Sequence, residues 1–169
     1  MPEGCAWLPE LCRLSDFGGD WRRYEDELYR WFRRDFVVSR PMFDGRPVGH
    51  NVSPVVNGKE EGFWHLITEE QESGADTKER LPHLGRCERI RWPRPIIDAA
   101  KEERVLVWSE QHQGGQRIAL MTDDFSYFVA IAVRGPRLFL ATAFPVDHPG
   151  RRERFEKQFS RAQREGRSL

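Results

Sequence analysis

Residues 58–97 hold the side chains best suited to chemistry. His65 sits in the aromatic run Phe63-Trp64-His65, with Lys59 and Glu60 just before it. Downstream, Arg86, Glu88, Arg89 and Arg91 crowd in front of Trp92-Pro93-Arg94-Pro95. An imidazole, a carboxylate and several guanidiniums are the parts that RNA cleavage needs when the 2′-hydroxyl attacks the adjacent phosphorus. A base takes the 2′ proton, an acid protonates the leaving 5′ oxygen, and donors stabilise the charge that grows at phosphorus. His65 can act as acid or base near neutrality, and Glu88 is a second acid–base candidate. Arg86, Arg89, Arg91 and Arg117 offer paired donors for a phosphate, and Lys59 adds a further cation. Thr142 or Tyr127 can orient a phosphate oxygen or the 2′-hydroxyl. Each residue also has a plain structural use. His65 can be a hydrogen-bonded core histidine, and Arg89 and Arg91 can pair with Glu88 and Glu102.

Other templates fit worse. Gly45 and Gly49 are not followed by the Gly-Lys-Ser/Thr ending of a phosphate-binding loop, and no GxGxxG follows a strand. There is no GxSxG elbow. Cys5, Cys12 and Cys87 form no CxxC pair, which leaves neither a disulfide framework nor a zinc signature. His148 stands beside Asp147 without a second metal-spaced ligand, and no cofactor is expected. Four histidines, His50, His83, His112 and His148, fall in expected loops, where a lone histidine is usually a surface residue.

The elements that must position these groups follow from patterning. With 169 residues the chain is long enough for one self-sufficient domain. Its 38% hydrophobic and 32% charged residues fit a soluble globular protein. No apolar run approaches a membrane span. The start MPEGCAWLPELC lacks the basic and apolar regions of a secretory signal, so a cytoplasmic location is expected. The 27 basic residues, 23 of them Arg, balance 27 acidic ones. This argues against nonspecific coating of nucleic acid but allows positive charge in one cleft.

Residues 1–19 read as an arm, 20–165 as a single domain and 166–169 as a tail. Asp20 is a plausible N-cap. Trp21, Tyr24, Leu28, Trp31, Phe32 and Phe36 then recur at helical spacing. Residues 37–58, rich in Pro and Gly, read as an irregular extension. Residues 62–68 read as a strand, with Phe63, His65 and Ile67 on one side. Residues 69–80 read as a mobile polar loop, 86–91 as a strand or extended turn, and Pro93 and Pro95 as the start of a short helix. From 104 onward, turns at Gly114-Gly115, Asp123-Asp124 and Gly135-Pro136 divide an antiparallel meander. A charged helix over 150–165 closes the chain. The expected class is α+β: an N-terminal helix packed on a four- or five-stranded antiparallel sheet, with a C-terminal helix.

The segments GKEEGFWH (58–65), RCERIRWPRP (86–95), QRIAL (116–120) and FLATAF (139–144) resemble a family of bacterial, phage and plasmid-borne proteins. That family is similar to the phage-borne nucleases of the barnase–EndoU–colicin–RelE (BECR) group. The resemblance runs from about Asp20 to Gln158. It implies an α+β RelE-like fold and metal-independent endoribonuclease activity; the expected substrate is tRNA or mRNA. The setting it implies is a toxin of a mobile element or defence system, held by an antitoxin. The family's histidine falls on His65, its middle-strand arginine on Arg117 and its last-strand threonine on Thr142. Where the family has an aromatic before that threonine, this chain has Ala141. The competing expectation is a non-catalytic protein- or RNA-interaction module on the same fold. A helix-turn-helix regulator has no support, because no such pattern adjoins a basic face.

Overall fold

The structure, a computed structural model, describes residues 5–72 and 78–169. The first long helix, α1 (Trp21–Phe32), begins where Asp20 accepts a hydrogen bond from the Arg23 N–H at 3.2 Å. Its apolar stripe buries Tyr24, Leu28 and Phe32. A π-helical turn, Arg33–Val38, extends it and buries Phe36. Short strands β1 (Met42–Phe43) and β2 (Arg46–Gly49) follow, then β3 (Val55–Val56) and β4 (Lys59–Glu60). Next come α2 (Glu61–Ile67), β5 (Thr68–Glu72), β6 (Lys78–Pro82), α3 (Leu84–Glu88) and α4 (Pro93–Asp98). The meander is β7 (Val105–His112), β8 (Gly115–Thr122), β9 (Tyr127–Arg134) and β10 (Arg137–Pro145), and α5 (Pro149–Arg164) comes last.

The main sheet has the order β1-β2-β10-β9-β8-β7. The α+β class and the C-terminal helix are as expected, but the sheet is six-stranded and mixed. β2 runs parallel to β10, pairing Val48 with Leu138, while the remaining pairs are antiparallel. The difference arises in residues 37–58. Their prolines and glycines punctuate short strands instead of breaking the sheet, and Val48 is wholly buried.

Three further local expectations are corrected. Residues 61–67 form helix α2, because Phe63, Leu66 and Ile67 are buried at helical spacing. Gly62 lets this helix approach the preceding chain: a Cβ there would lie 3.0 Å from the His50 Cβ and 3.1 Å from the Asn51 carbonyl. The stretch read as a polar loop pairs as the hairpin β5–β6, and residues 73–77 lie outside the described residues. Arg86 to Glu88 belong to helix α3, and Arg89 to Arg91 to the turn after it.

The sheet is covered on both faces. One face meets α1, α2, α3 and α4 in the larger core, which takes Ile118, Leu120, Val129, Ile131, Leu140 and Ala143 from the strands. Cys5 and Leu8 of the N-terminal arm are buried in this same core. The other face meets α5, where Phe155 stacks on Phe128 at 4.5 Å and Phe159 lies 5.5 Å from Trp108. The tail joins β7 through a hydrogen bond from the Ser109 N–H to the Arg167 carbonyl at 3.0 Å. Among the described residues no helix is long and apolar enough to cross a membrane.

Candidate active site

Strand alternation puts Arg117, Ala119 and Met121 of β8 on the α5 side of the sheet, beside Ala130 and Ala132 of β9. Helix α5 covers the rows built on Trp108 and Phe128. In the next row, Arg117 and Ala132 line a cleft of about 560 Å³, and Glu110 pairs opposite Arg117. β10 reaches this cleft through a bulge. Leu140 pairs with Ile131 and Thr142 with Ala130, so Ala141 is an extra residue. A bulge of this kind re-aims neighbouring side chains, and both Ala141 and Thr142 line the cleft. His65 enters from α2, which packs against β10.

Three residues singled out from sequence, His65, Arg117 and Thr142, therefore share one cleft although they come from α2, β8 and β10. Arg117 is fixed from behind. Its Nε donates to Glu110 Oε1 at 2.5 Å, and the other carboxylate oxygen of Glu110 accepts from Trp108 Nε1 at 3.2 Å. The Arg117 guanidinium also lies 5.5 Å from the Phe128 ring. Its Nη groups have no hydrogen-bond partner among the described residues, which leaves them available to a ligand.

His65 is held by its backbone. Its carbonyl accepts from Arg80 Nη2 and from Arg86 Nη1, each at 3.3 Å. Arg80 also donates to the Thr68 carbonyl at 2.7 Å and to Thr68 Oγ1 at 3.0 Å. The two arginines thus satisfy carbonyls at the end of α2. Burial, then the positive charges of Arg80 and Arg86, push the His65 imidazole down to about 4, against the opposing pull of Glu70. At neutral pH the ring is therefore uncharged.

The remaining sequence candidates are placed elsewhere. Arg86 adjoins the cleft through the His65 carbonyl. Glu88 stands near its neighbour Arg89 at 3.8 Å, and its carbonyl accepts from the Cys12 N–H at 2.9 Å. This ties it to the N-terminal arm. Arg89 donates to the Gly85 carbonyl at 3.0 Å and lies over Trp92. Arg91 lies 4.2 Å from the Trp31 ring on α1. Lys59 pairs with Glu25 and Asp26, each at 3.4 Å. Tyr127 is buried edge-on against Trp92, and its hydroxyl is pushed up by that burial. Glu88, Arg89, Arg91, Lys59 and Tyr127 thus support the scaffold, and the expected grouping of Arg89 and Arg91 with His65 is corrected. Phe63 and Ile67 also part from His65, because on a helix they face the core.

Other residues line the cleft as well. His112, Gln113, Gln116 and Arg134 all border it, so His112 is no isolated surface histidine. The turn is Gln113-Gly114, with both residues at positive φ. It sets His112 opposite Gly115 and Glu110 opposite Arg117. Alternation along β7 then puts His112 and Glu110 on one face, a signal present in the sequence once the turn is placed one residue earlier. Among the described residues no group of three or more His, Cys, Asp and Glu side chains is arranged to hold a metal ion. Compared with known proteins, the chain matches no family model, no curated protein and no solved structure.

Proposed function

We propose that this protein is a metal-independent endoribonuclease that cleaves RNA by attack of the 2′-hydroxyl on the adjacent phosphorus. The observation that carries the reading is the convergence of His65, Arg117 and Thr142 on one cleft from three separate elements. Neutral His65 takes the 2′ proton. The 2′ oxygen bonds to phosphorus while the bond from phosphorus to the 5′ oxygen breaks. The Nη donors of Arg117 and the Thr142 hydroxyl stabilise the equatorial oxygens as charge develops. His112, from the hairpin side of the cleft, returns a proton to the leaving 5′ oxygen. The products are a 2′,3′-cyclic phosphate and a 5′-hydroxyl. Glu88, tied to the arm, has no part in this scheme.

The resemblance to the BECR nucleases supports the same reading. It adds the setting of a toxin with its antitoxin, and the proposed substrate is tRNA or mRNA in the cytoplasm. The test is incubation of the purified protein with tRNA and with unstructured RNA in the presence of EDTA. The reading expects cleavage with cyclic-phosphate ends, and loss of cleavage in His65→Ala at matched thermal stability. One observation favours a second reading, a non-catalytic RNA- or protein-interaction module. Arg117 already has a carboxylate partner in Glu110. Under that reading RNA binds without being cut, and His65→Ala binds as well as the parent.

A further inference from the structure

Beyond the cleft, at the far end of β10, two arginines from different elements converge on one ring. The guanidinium of Arg86 on α3 lies 5.3 Å from the Phe144 centroid, and that of Arg151, in the first turn of α5, lies 5.0 Å from it. Among the described residues no carboxylate lies within ion-pair distance of either. The nearby acids Glu69 and Asp147 stand closer to His83, at 3.6 and 4.0 Å from its Nε2. Arg86 is largely buried, and its charge is disfavoured first by that burial and further by Arg80 and Arg151, against the pull of Glu69. Helix α5 adds to the excess. Its first turn contains Arg151 and Arg152 and no acidic residue, so cations stand where the helix dipole is already positive. Half-buried positive charge with no bound counter-charge is costly to maintain, and an anion relieves it.

The position of this cluster identifies the anion. Thr142 and Phe144 both lie on the α5 side of β10. Two residues along a strand rise about 7 Å, a distance comparable to the step from one phosphate to the next in an extended single strand. Arg86 links the two places, since its Nη1 holds the His65 carbonyl.

We propose that Arg86 and Arg151 form a second phosphate subsite, one nucleotide along β10 from the Arg117–Thr142 cleft, so that the substrate is a single RNA strand read across two successive phosphates. This rests on the nuclease reading above. The test compares kcat/KM for a dinucleotide with one phosphodiester and for a trinucleotide with two, in the parent, Arg151→Gln and Arg151→Lys. The parent prefers the longer substrate. Arg151→Gln lowers that preference roughly tenfold or more, the scale of a hydrogen bond to a charged group, and Arg151→Lys restores part of it. An unchanged preference in Arg151→Gln overturns the subsite. A parallel binding series uses 2′-deoxy oligonucleotides of the same lengths, which cannot be cut by this route. In that series the subsite predicts tighter binding of the longer strand. It also predicts a slope of log K against log salt that is shallower by about 0.7 in Arg151→Gln, the single-strand value for one lost phosphate contact. If the parent cuts neither RNA yet the binding series behaves so, the nuclease reading fails and the subsite stands. If binding is independent of length and of Arg151, the subsite fails whatever the outcome of cleavage.

Discussion

The state of His65 sets the sharpest test of the site. An ordinary imidazole titrates at 6.5, whereas burial together with Arg80 and Arg86 holds this one at about 4. At pH 5 it is therefore roughly nine-tenths neutral, while an ordinary histidine is almost wholly protonated. If neutral His65 takes the 2′ proton, the acidic limb of the cleavage rate falls near pH 4 to 5 and not near 6.5. Titration of the imidazole by NMR in the absence of RNA gives the same midpoint independently of activity. His65→Ala removes the base, which costs on the order of 10²–10⁴-fold in rate, about 3–5 kcal/mol of barrier. Arg80→Gln moves the midpoint upward but not back to 6.5, because burial is the larger cause. The sign for stability follows from the same shift. Between pH 6.5 and about 4 the unfolded chain takes up a proton that the folded chain refuses. This residue's contribution to stability therefore declines as the pH falls through that window and is lost below it. An NMR midpoint at 6 or above, or an unchanged acidic limb in His65→Ala, refutes the reasoning.

Other expectations are as direct. Glu110→Ala releases both Arg117 Nε and Trp108 Nε1, so kcat falls more than KM rises, read by steady-state kinetics alongside an unchanged fold by circular dichroism. His112→Ala slows cleavage at least tenfold, whereas Lys157→Ala, in an exposed pair with Glu153 on α5, leaves both rate and stability as they are. Gly62→Ala pushes a methyl against the His50 Cβ and the Asn51 carbonyl, and denaturant unfolding should record a loss of about 1–3 kcal/mol. Phe128→Ala empties the stack against Phe155 and Phe144 and costs about 3–5 kcal/mol by the same measurement.

What the sequence discloses depends on whether a residue's surroundings are local. Asp20 and the stripe Tyr24–Leu28–Phe32 announce α1 because cap and period lie within a dozen residues. The four meander strands are legible for the same reason, since each is bounded by its own turn. The strand β2 is not, because four residues containing a proline acquire their conformation from β10, some ninety positions later. Helix α2 is misread because five alternating residues satisfy a period of two as readily as the spacing Phe63–Leu66–Ile67 satisfies a helix. The contacts of Phe63 with Tyr29 and Phe32 at 5.1 and 5.7 Å decide between them. The site follows the same division. Arg117 and Thr142 are placed by alternation and by one bulge, and a strand reading finds them. His65 reaches the same cleft from a helix, so its membership survives a wrong assignment of its element. Arg89 and Arg91 look equivalent to Arg86 in the sequence, but the turn after α3 fans the three apart. Arg86 turns to the His65 carbonyl, Arg89 to Trp92 and Arg91 to Trp31. A run of like charges in sequence is therefore no guide to a cluster in space, whereas Arg86 and Arg151, far apart in the chain, meet on one ring.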